Sequence, residues 1–299
     1  MKTPTVRFEE LGDRIGLMTI DVEGRAVNAL SHAVWNDLRT VFKYAASKAL
    51  SGLLIASGKP GQFVAGADLN ELLAVMDRSM DDIHQAFDPG RVVLSLLRDL
   101  PFPAIALIDG PCLGGGLEVA LACDDRLASN APKTLLGLPE TSLNLIPGWG
   151  GTQRLPRLVG LQPALEMILS GKPITPADAK TIGLISVIGD REQLISLGRT
   201  QLTYLNARGD WRTRRLNENA TPTANTHDRN LIFEWERKLA GKTTALQAAL
   251  AVVRDGWNLP LPAGLNLERD EFARILKTRE AREGVVEFLN RKKSPRPSA

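Results

Sequence analysis

Two glutamates and one glycine-rich turn carry the chemistry for which this chain is equipped. Segment 105–140 reads IALIDGPCLGGGLEVALACDDRLASNAPKTLLGLPE. An apolar strand at 105–108 passes through Asp109-Gly110-Pro111 into Gly114-Gly115-Gly116, and the apolar stretch 117–122 is broken once, by Glu118. A second carboxylate, Glu140, follows 22 residues later behind Leu138-Pro139. Glycines at a helix start leave N–H groups open to a ligand, because no side chain shields them and the first donors have no intrahelical partner. Glu118 lies on the same helical face as those donors. A helix N-terminus favours the ionised carboxylate and burial opposes it, so the two effects together can hold a glutamate where a general base needs to be. Donors beside an acid–base group point to chemistry on a carbonyl.

Other glycine-turn chemistries fit less well. Gly110 and Gly115 have the spacing of a phosphate-binding loop, but Gly116-Leu117 stands where Lys-Ser/Thr is required. The dinucleotide fingerprint G-x-G-x-x-G and the nucleophile elbow G-x-S-x-G are both absent. Taken singly, each feature also has an ordinary structural explanation. The glycines suit tight helix–strand packing, Glu118 an exposed or ion-paired site, Glu140 a surface loop, and Ala65-Gly66-Ala67-Asp68 a simple helix start. His32, His84 and His227 form no metal-binding spacing and are expected at the surface.

The elements that must position these groups alternate between strand and helix. Strands are expected at 6–11, 15–21, 52–57, 104–108, 126–129, 134–136 and 184–188. Helices are expected at 32–48 with Ser31 as N-cap, from Asp68 onward, and at 91–99, 116–123, 151–159, 162–170 and 176–182. Segment 77–90, ending in Asp88-Pro89-Gly90, reads as a mobile loop, and the polar segment 206–228 as a loop or linker. Helices are expected over 229–257 and 266–292. The alternation argues an α/β core over 1–198, followed by a helical region over 199–299.

Composition sets the outer bounds. The 299 residues, 43% of them hydrophobic, suffice for a large core. A net charge of +3 is too even to argue for a nucleic-acid or membrane partner. The basic run Arg291-Lys292-Lys293 with Arg296 reads as a solvated tail. Cys112 and Cys123 lack zinc-ligand spacing, there is no signal-like leader, and no apolar run is long enough to span a bilayer. A reducing, cytoplasmic setting is the expectation.

Four motifs in order make a more specific pattern: Ala65-Gly66-Ala67-Asp68-Leu69, Gly114-Gly115-Gly116-Leu117-Glu118, Leu138-Pro139-Glu140, and the run IPGWGGTQRL from Ile146 to Leu155. With their spacing over 6–190, and with Gly264-Leu265, Glu268, Phe272, Glu283-Gly284 and Phe288-Leu289 near the end, the chain resembles the enoyl-CoA hydratase/isomerase (crotonase) superfamily. Segments 135–141 and 163–172 are similar to the hydratase half of bacterial multifunctional fatty-acid oxidation enzymes, whose dehydrogenase half has no counterpart here. Residues 206–262 fit the standalone family poorly.

The resemblance implies a spiral of β-β-α units with a C-terminal helical region that closes the active site and packs subunits into a trimer or hexamer. It implies that 2-enoyl-CoA thioesters are hydrated to 3-hydroxyacyl-CoA, with the carbonyl oxygen held by the N–H groups of Ala67 and Gly115. Glu118 would activate water, Glu140 would supply a proton, and the Gly148 backbone would position the water. The CoA part of the substrate would lie against Ala65, Gly66, Ala67, Asp68 and Leu69, with Gly114 and Pro139 also in contact, and the acyl tail would run toward 70–90. No cofactor is implied beyond the CoA of the substrate itself, and a separate 3-hydroxyacyl-CoA dehydrogenase would be the metabolic partner. Two other functions share the scaffold: a Δ3,Δ2-enoyl-CoA isomerase, which commonly uses one carboxylate, and a non-catalytic or RNA-binding protein, suggested by Arg212–Arg215 and the basic tail.

Overall fold

The computed structural model describes residues 1–293. Arg296 and the end of the expected basic tail lie outside the described residues. The strands are β1 (Val6–Glu10), β2 (Ile15–Ile20), β3 (Gly52–Ser57), β4 (Ala104–Ile108), β5 (Cys112–Leu113), β6 (Asp125–Ser129), β7 (Leu136–Gly137) and β8 (Val187–Gly189). Six of them form one sheet in the order β1-β2-β3-β4-β6-β8, and β5 pairs with β7 in a second, small sheet. Among the strand pairs of the described residues, β1–β2 is antiparallel and the others are parallel. The apolar run of β4 and the nearly apolar β2, broken only by Thr19, match strands covered on both faces, and every residue in them is buried. After β4 and again after β6 the chain detours through the small sheet and then turns helically. These are the β-β-α turns of the expected spiral.

The helices are α1 (His32–Ala46), α2 (Leu69–Val75), α3 (Met80–Arg98), α4 (Gly115–Leu121), α5 (Gly151–Val159), α6 (Leu161–Ser170) and α7 (Pro176–Thr181). Then follow α8 (Leu194–Arg208), α9 (Trp211–Asn219), α10 (Thr226–Leu239), α11 (Thr244–Gly256), α12 (Leu261–Leu276) and α13 (Arg279–Lys293). One sheet face packs into the main core with α1 and α3. The other, formed by Ile15, Leu17, Leu54, Ile105, Leu107 and Leu127, is covered by Leu194, Leu202 and Leu205 of α8 and by Trp211 of α9. The Ser31 and Asp68 side chains cap α1 and α2 as their positions predict.

Five expectations are corrected. Segment 80–90 is the first half of α3 rather than a loop. Ser79 and Asp82 form a reciprocal capping box, and Pro89 sits inside the helix. A proline removes one helical N–H bond, but packing holds the turn: Gly90 presses against the Trp149 and Trp35 indoles, where a β-carbon would stand 2.5 Å from Trp149 Nε1. Segment 206–228 is largely helical, since α9 occupies its centre. The expected helix at 229–257 is two helices, broken around Gly241, which has a φ of 73°. Likewise α12 and α13 are separate, with the Thr278 hydroxyl accepting from the Ala281 N–H. His84 is also not a surface residue: its side chain is 17% exposed, beside Asp270.

Helix α9 is anchored by Arg215. Its guanidinium donates twice to Asp124, at 2.8 and 2.6 Å, and also to the carbonyls of Leu100 and Phe102. Asp124 is only 3% exposed, so removing Arg215 leaves a buried carboxylate short of its main partner. Arg215→Ala is expected to destabilise the fold by about 3 kcal/mol, read as a lower denaturant midpoint, and to open segment 206–228 to proteolysis. An unchanged midpoint would show that α9 is not held by this pair.

Candidate active site

Every residue expected at the site lines one cavity of about 400 Å3: Ala65, Gly66, Ala67, Asp68, Leu69, Gly114, Gly115, Glu118, Pro139, Glu140 and Gly148. The sequence places these residues in four segments, 65–69, 114–118, 139–140 and 148, which the fold brings together. The turn at 65–68 is tied to the chain before α1: Leu30 donates to the Gly66 carbonyl at 2.8 Å and accepts from the Asp68 N–H at 3.2 Å. These two bonds use residues 66 and 68, which leaves the Ala67 N–H on the opposite edge. A β-carbon on Gly66 would stand 3.9 Å from the Gly115 nitrogen, so the two expected donor segments are in contact. Gly115 begins α4 and therefore has no intrahelical acceptor for its N–H, and Gly114 offers no side chain to cap it.

The glycines of this turn have different tasks. Gly114 has φ 54° and ψ −127°, a combination closed to residues with a β-carbon. Gly115 is constrained by space instead. A β-carbon there would meet the Trp149 ring at 2.7 Å and Leu30 at 3.0 Å. The same indole lies edge-on to Trp35, with ring centroids 4.9 Å apart, and its Nε1 donates to the Phe87 carbonyl at 3.0 Å.

Glu118 is 1% exposed. Its Oε1 accepts the N–H groups of Trp149 at 2.7 Å and Gly151 at 2.8 Å, at the start of α5. Burial, followed by the nearby Glu268 and Glu140 carboxylates, pushes Glu118 well above the ordinary range, and the two N–H bonds oppose that rise. Glu140 opens a 3-10 turn over Glu140–Leu143, which ends at Asn144 in the left-handed conformation. Its Oε2 is buried without a hydrogen-bond partner. Burial and the charge of Glu268 raise the Glu140 carboxyl to about 8.

Several residues at the site had not been assigned a role from sequence. Glu268, in α12, is 1% exposed and accepts N–H bonds from Gly150 and Thr152 at 2.6 and 2.9 Å. Burial lifts it to about 7. Its helix, which also carries Glu271, gives no local signal of such burial. Phe87, Trp149, Phe272, Phe288 and Leu289 supply apolar wall, and Arg25 is the one cation among the described lining residues. No group of three His, Cys, Asp or Glu side chains among the described residues is placed to hold a metal ion. No helix among them is long and apolar enough to cross a membrane. Both cysteines are free and buried.

The raised carboxyls carry a sign for stability. An acid whose folded value lies above its unfolded one binds protons more tightly when folded. Its contribution is therefore full below the unfolded value and is lost as pH rises through the folded value. For Glu140 that window runs from 4.5 to about 8. Glu140→Gln should therefore gain thermal stability relative to the parent as pH rises across the window. Melting curves at about pH 5 and about pH 8 that stay parallel for the two proteins would contradict the burial of Glu140.

Comparison with known proteins identifies the family. The Enoyl-CoA hydratase/isomerase family profile matches residues 12–244. The fatty acid oxidation complex subunit alpha of Vibrio cholerae serotype O1 is 39% identical over 275 residues, covering 89% of this chain and 38% of that protein. Its counterpart in Shewanella halifaxensis is 36% identical over 283 residues, covering 93% and 40%. The chain thus spans about two fifths of the length of these curated relatives. Among solved structures, an enoyl-CoA hydratase from Bacillus anthracis superposes with a TM-score of 0.62 at 26% identity, covering 96% of each chain. A carnitinyl-CoA dehydratase from Mycobacterium thermoresistibile reaches a TM-score of 0.75 over 99% of this chain and 94% of its own, and at 19% identity it shows the fold alone. With its profile match, its spiral fold and its motif glycines and glutamates around one cavity, the chain belongs to the enoyl-CoA hydratase/isomerase (crotonase) family.

Proposed function

We propose that the protein hydrates 2-enoyl-CoA thioesters to 3-hydroxyacyl-CoA thioesters. The observation that carries this reading is a second buried carboxylate, Glu140, with an unpartnered oxygen at the same cavity as Glu118. Adding water across a double bond needs one group to take a proton and another to give one. At neutral pH Glu140, raised to about 8, holds its proton. The N–H bonds from Trp149 and Gly151 favour Glu118 as the ionised member. Glu118 takes a proton from water, and the oxygen bonds to C3. The C2=C3 electron pair moves to the thioester oxygen, and C2 then takes the Glu140 proton. The proton left on Glu118 leaves to solvent, and Glu140 is reprotonated.

The enolate oxygen would sit between the N–H groups of Ala67 and Gly115, each fixed donor being worth on the order of 10²–10³ in rate. Gly148 would hold the water from its backbone. The CoA portion would lie along 65–69 and the acyl chain against Leu72 and Phe87. The charge of Arg25 suits the phosphates of CoA, and CoA is the only non-protein group the reading requires. A 3-hydroxyacyl-CoA dehydrogenase would consume the product, and a trimer or hexamer is the proposed assembly. Two arginines of the run that suggested an RNA-binding alternative are engaged within the fold. Arg215 is buried against Asp124, and Arg212 stacks 4.1 Å over the Trp211 ring while donating to the Pro101 carbonyl.

The test is loss of enoyl-thioester ultraviolet absorbance over a chain-length series of 2-enoyl-CoA substrates. Turnover of 3-enoyl-CoA without hydration would instead indicate the isomerase. Glu118→Gln and Glu140→Gln should each lower kcat by about 10²–10⁴ with KM within a few-fold, since the amide keeps shape and cannot exchange the proton. Either variant working at the parent rate removes that residue from the mechanism.

Gly115→Val should abolish turnover with both glutamates in place, because its β-carbon enters the Trp149 ring. Ala67→Gly, which keeps its N–H, should be milder. A folded Gly115→Val with parent activity would show that the donors have been misassigned.

A further inference from the structure

Four consecutive N–H groups are shared alternately between two buried carboxylates. Trp149 and Gly151 donate to Glu118, at 2.7 and 2.8 Å. Gly150 and Thr152 donate to Glu268, at 2.6 and 2.9 Å. The direction of the Thr152 hydroxyl is set as well. Gln153 Nε2 donates to Thr152 Oγ1 at 3.0 Å, which turns the hydroxyl proton toward Glu268 Oε2. Gln153 is itself clamped, donating to the Val252 carbonyl at 3.1 Å and packed against Gly256 and Gly264. Glu268 does not line the cavity. One helical turn further along α12, Phe272 does, and its ring lies where a β-carbon on Gly148 would fall, 2.9 Å away. Helix α12 therefore grips the 148–152 turn twice, with Glu268 through its N–H groups and with Phe272 over Gly148.

We propose that Glu268 is a positioning residue for the reaction: by binding the N–H groups of Gly150 and Thr152, it fixes the turn that aims the Trp149 and Gly151 donors at Glu118 and sets the Gly148 backbone beside the cavity. The reason is geometric. In a turn at a helix start, neighbouring N–H groups diverge, and an acceptor on one side alone leaves the turn free to rotate. Carboxylates on both sides hold it in one orientation. A carboxylate suits this task better than an amide, because both of its oxygens accept and here both face donors. In Glu268→Gln, one position must present an NH2 group to an N–H.

The kcat arm of the test rests on the hydratase reading, and the exchange arm does not. Glu268→Gln should lower kcat on the order of ten- to a hundredfold while KM stays within about threefold, because a small misplacement of catalytic groups costs rate and leaves binding nearly intact. Hydrogen–deuterium exchange on the unliganded protein should quicken at 148–152 and remain at parent rates in β3 and β4. Thr152→Val, which deletes only the hydroxyl donor, should lower kcat about three- to tenfold, and Thr152→Ser, which keeps it, should restore most of the rate. This pair decides the matter if Glu268→Gln does not fold.

Parent-like exchange at 148–152 in a folded Glu268→Gln variant overturns the proposal. So does a kcat that falls only in proportion to the folded fraction, or equal kcat for Thr152→Val and Thr152→Ser. If the parent hydrates no enoyl-CoA, the functional reading fails, and exchange at 148–152 alone judges Glu268.

Discussion

Three carboxylates withdrawn from water around one backbone turn form the constraint on which this structure depends. An ionised carboxylate in an apolar interior is prohibitively costly unless donors meet it, and side-chain cations are not what meet Glu118 or Glu268 here. Both are held by peptide N–H groups at the start of α5. Peptide donors stabilise charge without titrating and carry no flexible side chain. The need for them explains the glycines around the site. Gly150 takes a φ of 111°, and Gly151 sits where a β-carbon would lie 3.1 Å from Glu118 Oε1. The fold as a whole can be seen as a means of delivering α5, α4 and α12 to a common point.

That delivery relies on close approach between helices. Gly256 of α11 and Gly264 of α12 both face Gln153, where β-carbons would fall 2.1 and 2.3 Å from its Oε1. Glycine inside a helix costs stability relative to alanine, so its use at these two positions reflects the space that a buried amide needs. Arg157 adds a polar seam between α5 and the end of α11, donating to the Gly256 and Leu259 carbonyls at 3.0 and 2.8 Å. On the far side, Arg269 pairs with Asp88 at 2.6 Å and so joins α12 to the half of α3 that follows the capping box. The helices beyond the sheet are therefore bound directly to the walls of the cavity.

Much of this was legible in the chain itself. The buried strands announced themselves by unbroken aliphatic runs, and the turns at 65–68, 114–116 and 148–151 by glycines beside Asp68, Glu118 and Trp149. The misread segments share a physical cause. At 80–90 the local signals of Pro89 and Gly90 were overridden by a tertiary contact with two indoles and by the Ser79–Asp82 capping box that opens the helix. At 211–219 a charged, weakly apolar sequence is helical because Arg215 and Trp211 find buried partners far along the chain. Glu268 was legible only as part of the family resemblance, not as a buried group. Its burial depends on α5 arriving above it, and nothing local encodes that.

Trp149 joins these layers in one residue. Its N–H belongs to Glu118, its ring closes on Gly115 and Gly90, and its Nε1 bonds the α3 backbone at Phe87. A larger residue at position 90 or 115 meets the indole, while a smaller residue at 149 leaves a void between the two glycines. The three positions thus form an epistatic unit, in which a larger residue at 90 or 115 is accommodated only beside a smaller one at 149.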